Sequence, residues 1–479
     1  MIPPFFMAKN RQSFIVALKR ESQTDHRAHL YLEGPGSLEV RSQDEFYFKL
    51  LRFFDDLDRL KFIDHIVFSP FGVESSDIPK WRAYVETGKR ALRDLRSSLG
   101  SGDDSLMGLR NIMANLEAIV SLPSSDLIQV SKPFHAVVVA AGPSLDLEIE
   151  KLRSIQRNVL IIAVDAVLRT LLDKGIHPHL VCCTERGVET LPFFSNIPKN
   201  IKTILVGQGT VHPDVFKIYP GPKSVSFKFS SNFLWLPMKR KHHWIGGSVA
   251  HLCYRLAASM GAQSIALVGQ DLAYHPETLQ SHGNVVAYPG WSEGDTFENR
   301  RSEFHASYVE GNWLKQVPSN PMWGTFASEY AEMISDAKIP TFNTSKYGRK
   351  ILGAKPMSFE EWIRGIARPS VQVEIPTENS EKTQDREALR EKLDDALDRL
   401  GELRQKIVSG ETDSSLYQVL LQYPHFLELV MEVVITDYVK AENARWGFQD
   451  LGAEREFLDA VAARLQEILS ILDDARHKI

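Results

Sequence analysis

The stretch that decides the fold is Ala136–Gly187, AVVVAAGPSLDLEIEKLRSIQRNVLIIAVDAVLRTLLDKGIHPHLVCCTERG. Three short apolar runs, at 136–141, 159–164 and 179–183, alternate in it with segments of helical periodicity. Strand-like runs that alternate with amphipathic helices are typical of βαβ units, which build a parallel sheet. Because the runs are almost continuously apolar, we predict a sheet that helices cover on both faces.

Small or polar residues follow each of the three apolar runs. Gly142 and Ser144 follow the first run, Asp165 follows the second and Glu185 follows the third. Parallel sheets of α/β proteins bind ligands at the carboxyl ends of their strands. These residues are therefore the first candidates for a binding site.

The Gly142-Pro143-Ser144 turn has features of an anion site. Gly142 allows a sharp turn or a close approach to a ligand, Pro143 presets the turn, and Ser144 is a candidate N-cap. The free N–H groups and the dipole of a helix start favour an anion such as phosphate. A capped turn without a ligand fits the same residues. The sequence has neither a Walker A loop nor the full Gly-x-Gly-x-x-Gly motif.

A second informative stretch runs from Trp244 to Tyr274. A glycine-rich start precedes a predicted helix at 249–260, and a predicted strand at 264–268 ends in a carboxylate. The helix start is a second candidate anion site on the same physical grounds. The candidates are Gly247, Ser248, Gly269, Gln270 and Asp271. A cap or a loop acceptor is the alternative role for Asp271.

Composition excludes several classes of protein. The 479 residues are 43% hydrophobic and 24% charged, and the net charge is −5, which argues against a basic surface for nucleic acid over the whole protein. No run of about 18 apolar residues indicates a transmembrane helix, and the first residues have no signal-peptide pattern. The three cysteines form no disulfide framework and are expected as small buried hydrophobes. We expect a cytoplasmic protein that binds neither nucleic acid nor membrane.

The predicted organisation has four parts. Residues 1–125 form an N-terminal α/β and helical region, and residues 126–370 form the central Rossmann-like domain with a doubly wound, mostly parallel sheet. Residues 371–385 are a polar linker. Residues 386–479 keep helical spacing of apolar residues and predict a helical bundle. Its expected role is packing, partner binding or homo-oligomer formation.

Two polar segments leave alternatives open. Asn111 and Asn115 lie on one face of a predicted helix, which is either solvated or lines a cleft. The long aperiodic segment 274–320 is rich in glycine, proline and aromatic residues and is interpreted as a lid or an acceptor-binding loop. Its histidines, which include His282 and His305, do not have zinc-ligand spacing.

Together, VVVAAGPSLD…IIAVDAVLRTLLDKGIHPHLV…TERG and IGGSVAHLCYRLAASMGAQSIALVGQDLAY…SHG resemble the bacterial motility-associated factor (Maf) proteins. The resemblance covers roughly residues 80–365. It implies a flagellin glycosyltransferase, required for flagellum assembly and motility. Such an enzyme moves a nonulosonic acid, such as pseudaminic or legionaminic acid, from a CMP-activated donor to Ser or Thr of flagellin. Flagellin would be the protein partner, and the terminal regions are the candidates for binding it.

The same core is similar to bacterial sialyltransferases that use CMP-sugars. This similarity implies the donor contacts Gly142, Pro143, Ser144, Asp165, Gly247, Ser248, Gly269 and Gln270. Glu185 is added as a donor contact because it also follows a strand end, where it and Asp165 would contact the ribose or the base. It also implies that no metal is obligatory, although Mg²⁺ is possible, because Asp165 and Asp271 are carboxylates near a predicted phosphate. Two departures stand out: Asp165 replaces a neutral amide, and the region that carries the sialyltransferase base has Trp313 and Gln316 but no histidine.

The catalytic residues implied by the resemblance are His282, Asp271 and His305. Within Ser281-His282-Gly283, His282 is closest to the Maf pattern, and His305 is the reserve candidate for the base. Histidine starts with a pKa near neutrality, as a general base requires. An exposed loop histidine is the competing interpretation of His282.

Two alternative functions remain. An archaeal pterin pyrophosphokinase shares the Gly-Pro-Ser-Leu core and would use ATP and magnesium. A flagellin-binding export partner with a vestigial nucleotide site would have no enzyme activity. Because fold does not decide function, the fold alone cannot separate these possibilities.

Overall fold

A computed structural model describes residues 15–19, 28–31, 37–40, 43–53, 67–68, 75–98, 101–229, 235–238, 240–283, 307–366, 370–411, 429–430, 433–434 and 451–479. The chain divides into two compact units, residues 1–106 with 398–469, and residues 107–397 with 470–479. The four contiguous parts expected from the sequence stay predictions. The two compact units are a different kind of division, because each joins segments that are distant in sequence.

The first unit contains a four-stranded sheet in the order β3-β2-β1-β4. Its strands are β1 (Ile15–Lys19), β2 (Ala28–Tyr31), β3 (Ser37–Val40) and β4 (Val67–Phe68). Strands β2 and β3 form an antiparallel pair. Helices α1 (Gln43–Phe53) and α2 (Ile78–Ser98) belong to the same unit, where the rings of Phe46 and Tyr84 meet edge-on at 5.7 Å.

The second unit is built on a parallel sheet of nine strands, in the order β11-β10-β9-β8-β7-β6-β12-β15-β16. The strands are β6 (Ala136–Val139), β7 (Leu160–Val164), β8 (Leu180–Cys183), β9 (Ile204–Gln208), β10 (Lys223–Lys228), β11 (His242–His243), β12 (Ile265–Val268), β15 (Thr341–Asn343) and β16 (Lys355–Pro356). Each paired strand runs parallel to its neighbour, which confirms the predicted Rossmann-like α/β sheet.

Helices flank this sheet. They are α3 (Gly102–Ala114), which crosses the boundary between the units, α4 (Leu116–Ser121), α5 (Ile149–Ile155), α6 (Leu168–Asp173), α7 (Pro213–Ile218), α8 (Val249–Ser259), α9 (Pro321–Ala337) and α10 (Phe359–Gly365). The long helices α11 (Lys382–Ser409) and α12 (Leu451–Arg476) follow. The strands β6, β7, β8 and β12 are buried along their whole length, because helices such as α8 pack on them. In the described chain, no helix is both long and apolar enough to cross a membrane.

The order of the strands reverses beside β6. One side of the sheet continues through β7, β8 and β9, and the other side continues through β12 and β15. Such a reversal is a topological switch point, where the loops after neighbouring strands diverge and leave a crevice at the carboxyl edge. Gly142, Ser144, Gly269, Gln270 and Asp271 lie on the loops after β6 and β12, and Asp165 and Glu185 follow β7 and β8, whereas Gly247 and Ser248 lie just before α8.

Two segments differ from the sequence-based expectation. Part of the expected lid, residues 307–319, forms an antiparallel hairpin of β13 (Ser307–Glu310) and β14 (Gln316–Ser319). The hairpin was not predicted, because strands of four residues are too short to be distinguished from a loop by their sequence pattern. Residues 284–306, with His305, lie outside the described residues. In the expected linker 371–385, β17 (Val373–Glu374) pairs with β5 (Gln129–Val130), so this segment is packed into the second unit.

The C-terminal helices also contribute to the second unit. Asp385, near the start of α11, pairs with Arg240 at 2.8 Å, and both side chains are largely buried. The guanidinium of Arg390 donates to the carbonyl of Ile479 over 2.6 Å. The ends of the predicted helical bundle are therefore part of the sheet-containing unit.

Candidate functional site

A pocket of about 400 Å³ opens at the carboxyl edge of the sheet, beside the switch point. Its walls come from the ends of β6, β7, β8 and β12 and from the start of α8. They consist of Ala140, Ala141, Val164, Asp165, Ala166, Glu185, Glu189, Thr190, Phe193, Ser248, Val249, Ala250 and Gln270. Four residues predicted as donor contacts from sequence, Asp165, Glu185, Ser248 and Gln270, are therefore brought together here.

Asp165 lines the pocket and is buried. Its Oδ1 accepts a hydrogen bond from the backbone N–H of Ala166, and its Oδ2 accepts one from the hydroxyl of Thr190. Burial, reinforced by the charge of Glu185, raises the pKa of Asp165 to about 7. The carboxyl group can therefore both donate and accept hydrogen bonds near neutral pH.

The pocket is acidic. Glu185 and Glu189 line it together with Asp165, and no Lys or Arg is among the lining residues that the structure describes. Glu189, Thr190 and Phe193 belong to a 3-10 helix, Val188–Phe194, which follows the end of β8. These three residues lie beyond the strand end and were not predicted from the sequence. The polar residues that continue beyond Gly187 were the available signal.

The start of α8 forms the opposite wall of the pocket. Ser248 is the N-cap of this helix, because its hydroxyl accepts from the backbone N–H of Ala250. The backbone N–H of Ser248 donates to Nδ1 of His251, which completes a capping box. The other ring nitrogen of His251 bonds to the carbonyl of Phe326, so this histidine has a structural role.

A carboxylate from α9 occupies part of the second glycine turn. Glu329 Oε2 accepts the backbone N–H of Gly247 at 3.0 Å, and burial raises the pKa of Glu329. The same oxygen lies 3.4 Å from Nδ1 of His251. Sequence gave no signal for Glu329, since it lies 82 residues from Gly247.

The first glycine turn is closed by Asp271. Asp271 is buried and accepts hydrogen bonds from both the backbone N–H and the hydroxyl of Ser144. The Ser144 hydroxyl also accepts the backbone N–H of Tyr347. Ser144 is therefore not an N-cap. It lies inside a 3-10 helix, Pro143–Leu147, whose N-cap is Gly142, because the anchored hydroxyl faces Asp271 instead of the helix start.

Gly269 holds this turn against the sheet. Its backbone has φ of +66°, and a Cβ at this position would lie 2.3 Å from the carbonyl oxygen of Ala140. The carbonyl of Gly269 accepts the N–H of Gly142 at 2.8 Å. The next residue, Gln270, lines the pocket, and its side-chain oxygen accepts the hydroxyl of Tyr330. Of the Gly269-Gln270-Asp271 motif, only Gln270 reaches the pocket.

Of the two candidate bases, His282 does not line the pocket, and His305 lies outside the residues that the structure describes. His282 Nδ1 and the hydroxyl of Ser281 are hydrogen-bonded at 2.7 Å, and His282 is not among the lining residues. The adjacent Gly283 donates its N–H to the carbonyl of Ala141, so His282 borders the first glycine turn. Burial raises the pKa of Asp271 to about 7, although its bonds to Ser144 oppose the rise.

Asn111 in α3 and Asn115 just after it are both buried, so they neither face solvent nor line an open cleft. Asn111 donates to the carbonyls of Arg186 and Thr210, and Asn115 donates to those of Gly209 and Val211. These carbonyls belong to the loops after β8 and β9. The two asparagines therefore hold strand-end loops beside the pocket, because their buried amides pair with loop carbonyls.

The described residues contain no group of three or more His, Cys, Asp or Glu side chains that could hold a metal ion. Cys182, Cys183 and Cys253 are free and buried, as expected for small hydrophobic residues.

Comparison with known proteins supports the fold. A family model described as "6-hydroxymethylpterin diphosphokinase MptE-like" matches residues 110–277. A search of curated proteins finds no match. One similar solved structure is the Maf glycosyltransferase from Magnetospirillum magneticum AMB-1, with 18% sequence identity and a TM-score of 0.51. The match covers 91% of this chain and 67% of that one, which is a likeness of fold.

Proposed function

We propose that the chain is a glycosyltransferase that moves a nonulosonic acid from a CMP-activated donor to Ser or Thr hydroxyls of flagellin. The observation that carries the proposal is the pocket at the switch point, which joins Asp165, Glu185, Ser248 and Gln270. The fold is that of a solved Maf glycosyltransferase, which supports the same assignment. A cytoplasmic location belongs to this proposal.

The charges of the pocket suggest how the donor lies. The phosphate of CMP fits the start of α8, where Val249 and Ala250 line the pocket and the helix dipole favours an anion. The carboxyl groups of Asp165 and Glu185 repel phosphate but accept hydrogen bonds from ribose hydroxyls and from the amino group of cytosine. We therefore place the nucleoside against the carboxylates and the phosphate against α8.

The reaction in this proposal is a direct displacement at the anomeric carbon. A serine or threonine oxygen of flagellin forms the new bond, the bond to the CMP phosphate breaks, and a base takes the hydroxyl proton. His282 is the proposed base, with His305 in reserve. Asp271 is better suited to positioning than to proton transfer, since its carboxylate accepts both donors of Ser144.

The role of His282 is tested by His282→Ala in a flagellin transfer assay. Loss of a general base costs about 10²–10⁴-fold in rate with donor affinity little changed. His177→Ala removes an exposed histidine far from the turn in sequence and serves as the matched control. If transfer by His282→Ala stays within about threefold of wild type, His282 is not the base.

A pterin diphosphokinase is the second candidate, and the family match over residues 110–277 favours it. In that case Mg²⁺ would neutralise the carboxylates of Asp165 and Glu185 and allow ATP to bind beside them. Calorimetry with CMP, ATP and GTP, each with and without Mg²⁺, separates the two functions. Preference for CMP without a metal requirement supports sugar transfer. Preference for ATP with Mg²⁺ overturns it.

The acceptor is proposed to bind through the terminal regions, and α11 and α12 are also candidates for homo-oligomer contacts. Deletion of residues 380–479 is a poor test, because Asp385 and Ile479 pack within the second unit. Full-length protein should instead be tested for flagellin binding and for transfer in parallel. Binding without transfer from any CMP-sugar, together with no affinity for CMP, would favour the export-partner alternative.

A further inference from the structure

A second pocket lies on the same unit, beside the edge strand β11. It has a volume of about 390 Å³ and is lined by Lys241, His242, His243, Trp244, Arg255, Ala258, Ser259, Asp336 and Ala337. We infer that this pocket binds an acidic sugar, a single ring that carries a carboxylate. The inference is independent of the proposed transfer reaction.

The two pockets are separate sites on α8. The first pocket uses Ser248, Val249 and Ala250 at the start of the helix, whereas the second uses Arg255, Ala258 and Ser259 near its end. With a rise of about 1.5 Å per residue, Arg255 lies about 9 Å along the axis from Val249. The pockets share no lining residue.

Buried polar atoms of β11 lack partners in the described part of the chain. His243 is 3% exposed, and its Nε2 has no hydrogen bond. Nε2 of the neighbouring His242 is also buried and unpaired. An unpaired buried polar atom is destabilising, so a ligand that brings hydroxyl groups to both rings gains what the protein lacks. Two adjacent imidazoles whose Nε2 atoms lack partners point to a polar ligand in this pocket.

The charges of the pocket select an anion. Lys241 is exposed at its rim. Arg255 pairs with Asp336 at 2.9 Å, and its Nε donates to the carbonyl of Trp244 over 3.0 Å. One positive charge is thus left over among the lining residues, and the carboxylate of Asp126 also acts on His243 from outside the pocket. Burial lowers the pKa of His243 to about 4, so the ring is neutral at neutral pH, and its unpaired Nε2 donates to or accepts from a hydroxyl group according to the tautomer.

The aromatic residue of the pocket selects a ring. Trp244 is 43% exposed, and the guanidinium of Arg255 lies 5.9 Å from the centre of its ring. An exposed indole face packs against the apolar face of a sugar, whose hydroxyls then point to the imidazoles. The indole of Trp244, the two neighbouring imidazoles and the cation Lys241 together match a carboxylated sugar better than inorganic phosphate, which has no ring.

Saturation-transfer NMR of the ligand in the presence of the full chain tests the inference. The probes are N-acetylneuraminic acid, neutral N-acetylglucosamine and inorganic phosphate as a competitor. We expect strong saturation transfer to the acidic sugar and little to the neutral sugar. CMP should not displace the acidic sugar. Equal transfer to both sugars, or displacement by equimolar phosphate, would overturn the inference.

Substitution at exposed positions shows where the acidic sugar binds without disturbing the buried histidines. Lys241→Ala and Trp244→Ala should each weaken binding at least about fivefold, since one removes a charge-assisted bond and the other the stacking surface. Lys202→Ala and Trp313→Ala, exposed residues of the same types elsewhere, are the matched controls. Unchanged affinity in both pocket variants, or an equal loss in the controls, would remove the site from this pocket.

Discussion

The two glycine turns at the carboxyl edge of the sheet look alike in sequence but differ in the structure. In the first, Ser144 is held by the buried carboxylate of Asp271 and does not line the pocket. In the second, Ser248 caps α8 and does line the pocket, although Glu329 accepts the N–H of Gly247. The two turns therefore differ in what the serine hydroxyl contacts. It donates to an internal carboxylate in the first turn, and it accepts a backbone N–H at the start of a helix beside the pocket in the second.

The largest expected effect comes from adding a methyl group to each turn. A Cβ at Gly142 would lie 2.5 Å from the backbone oxygen of Gly269, which cannot move away, whereas one at Gly247 would meet the ring of Phe326 at 2.9 Å. Gly142→Ala should cost about 3 kcal/mol of stability and Gly247→Ala about 1 kcal/mol. Urea unfolding of both variants measures the difference, and equal losses would contradict it.

The second effect concerns pH and compares Asp165 with an exposed carboxylate. The pKa of Asp165 is about 7 in the folded protein and 3.8 as its ordinary value, so its contribution to stability is full below pH 4 and is lost as pH rises through 7. Between pH 5 and pH 8, wild type should lose about 2 kcal/mol relative to Asp165→Asn. Asp173→Asn is the control, and parallel pH curves for wild type and Asp165→Asn would refute the assignment.

The third effect separates the two serines. Ser144→Ala leaves the buried carboxylate of Asp271 short of a donor, and Ser248→Ala removes an N-cap, so each should lose about 1 kcal/mol of stability. Only Ser248→Ala should also weaken nucleotide binding, by about threefold to tenfold, because Ser248 lines the pocket. Calorimetry decides, and a stronger loss of affinity in Ser144→Ala would make the first turn the phosphate site.

The smallest effect is expected from Glu329. In Glu329→Gln the amide oxygen can keep the bond to Gly247, but the negative charge beside the start of α8 is removed. An anionic nucleotide should then bind about twofold to fivefold more tightly, as expected for the loss of one nearby like charge. Glu332→Gln on the same helix is the control. Weaker binding in Glu329→Gln would show that Glu329 contacts the ligand.

Much of the sheet could be predicted from local pattern. The runs that became β6, β7, β8 and β12 are apolar because both faces of a parallel strand are buried, and this signal is present in the sequence. The short strand β11 and the short hairpin β13–β14 were not predicted. Two to four residues carry too little periodicity, and their pairing depends on neighbours that are distant in sequence.

Residue types and strand ends, which local sequence determines, were enough to bring Asp165, Glu185, Ser248 and Gln270 to one edge of the sheet. Tertiary structure alone decided which polar groups stay available to a ligand. Asp271 lies 127 residues from Ser144, and Glu329 lies 82 residues from Gly247, so no local rule places either carboxylate on its turn. A buried N–H takes the partner that folding brings within reach, and that partner is set by the packing of the whole unit.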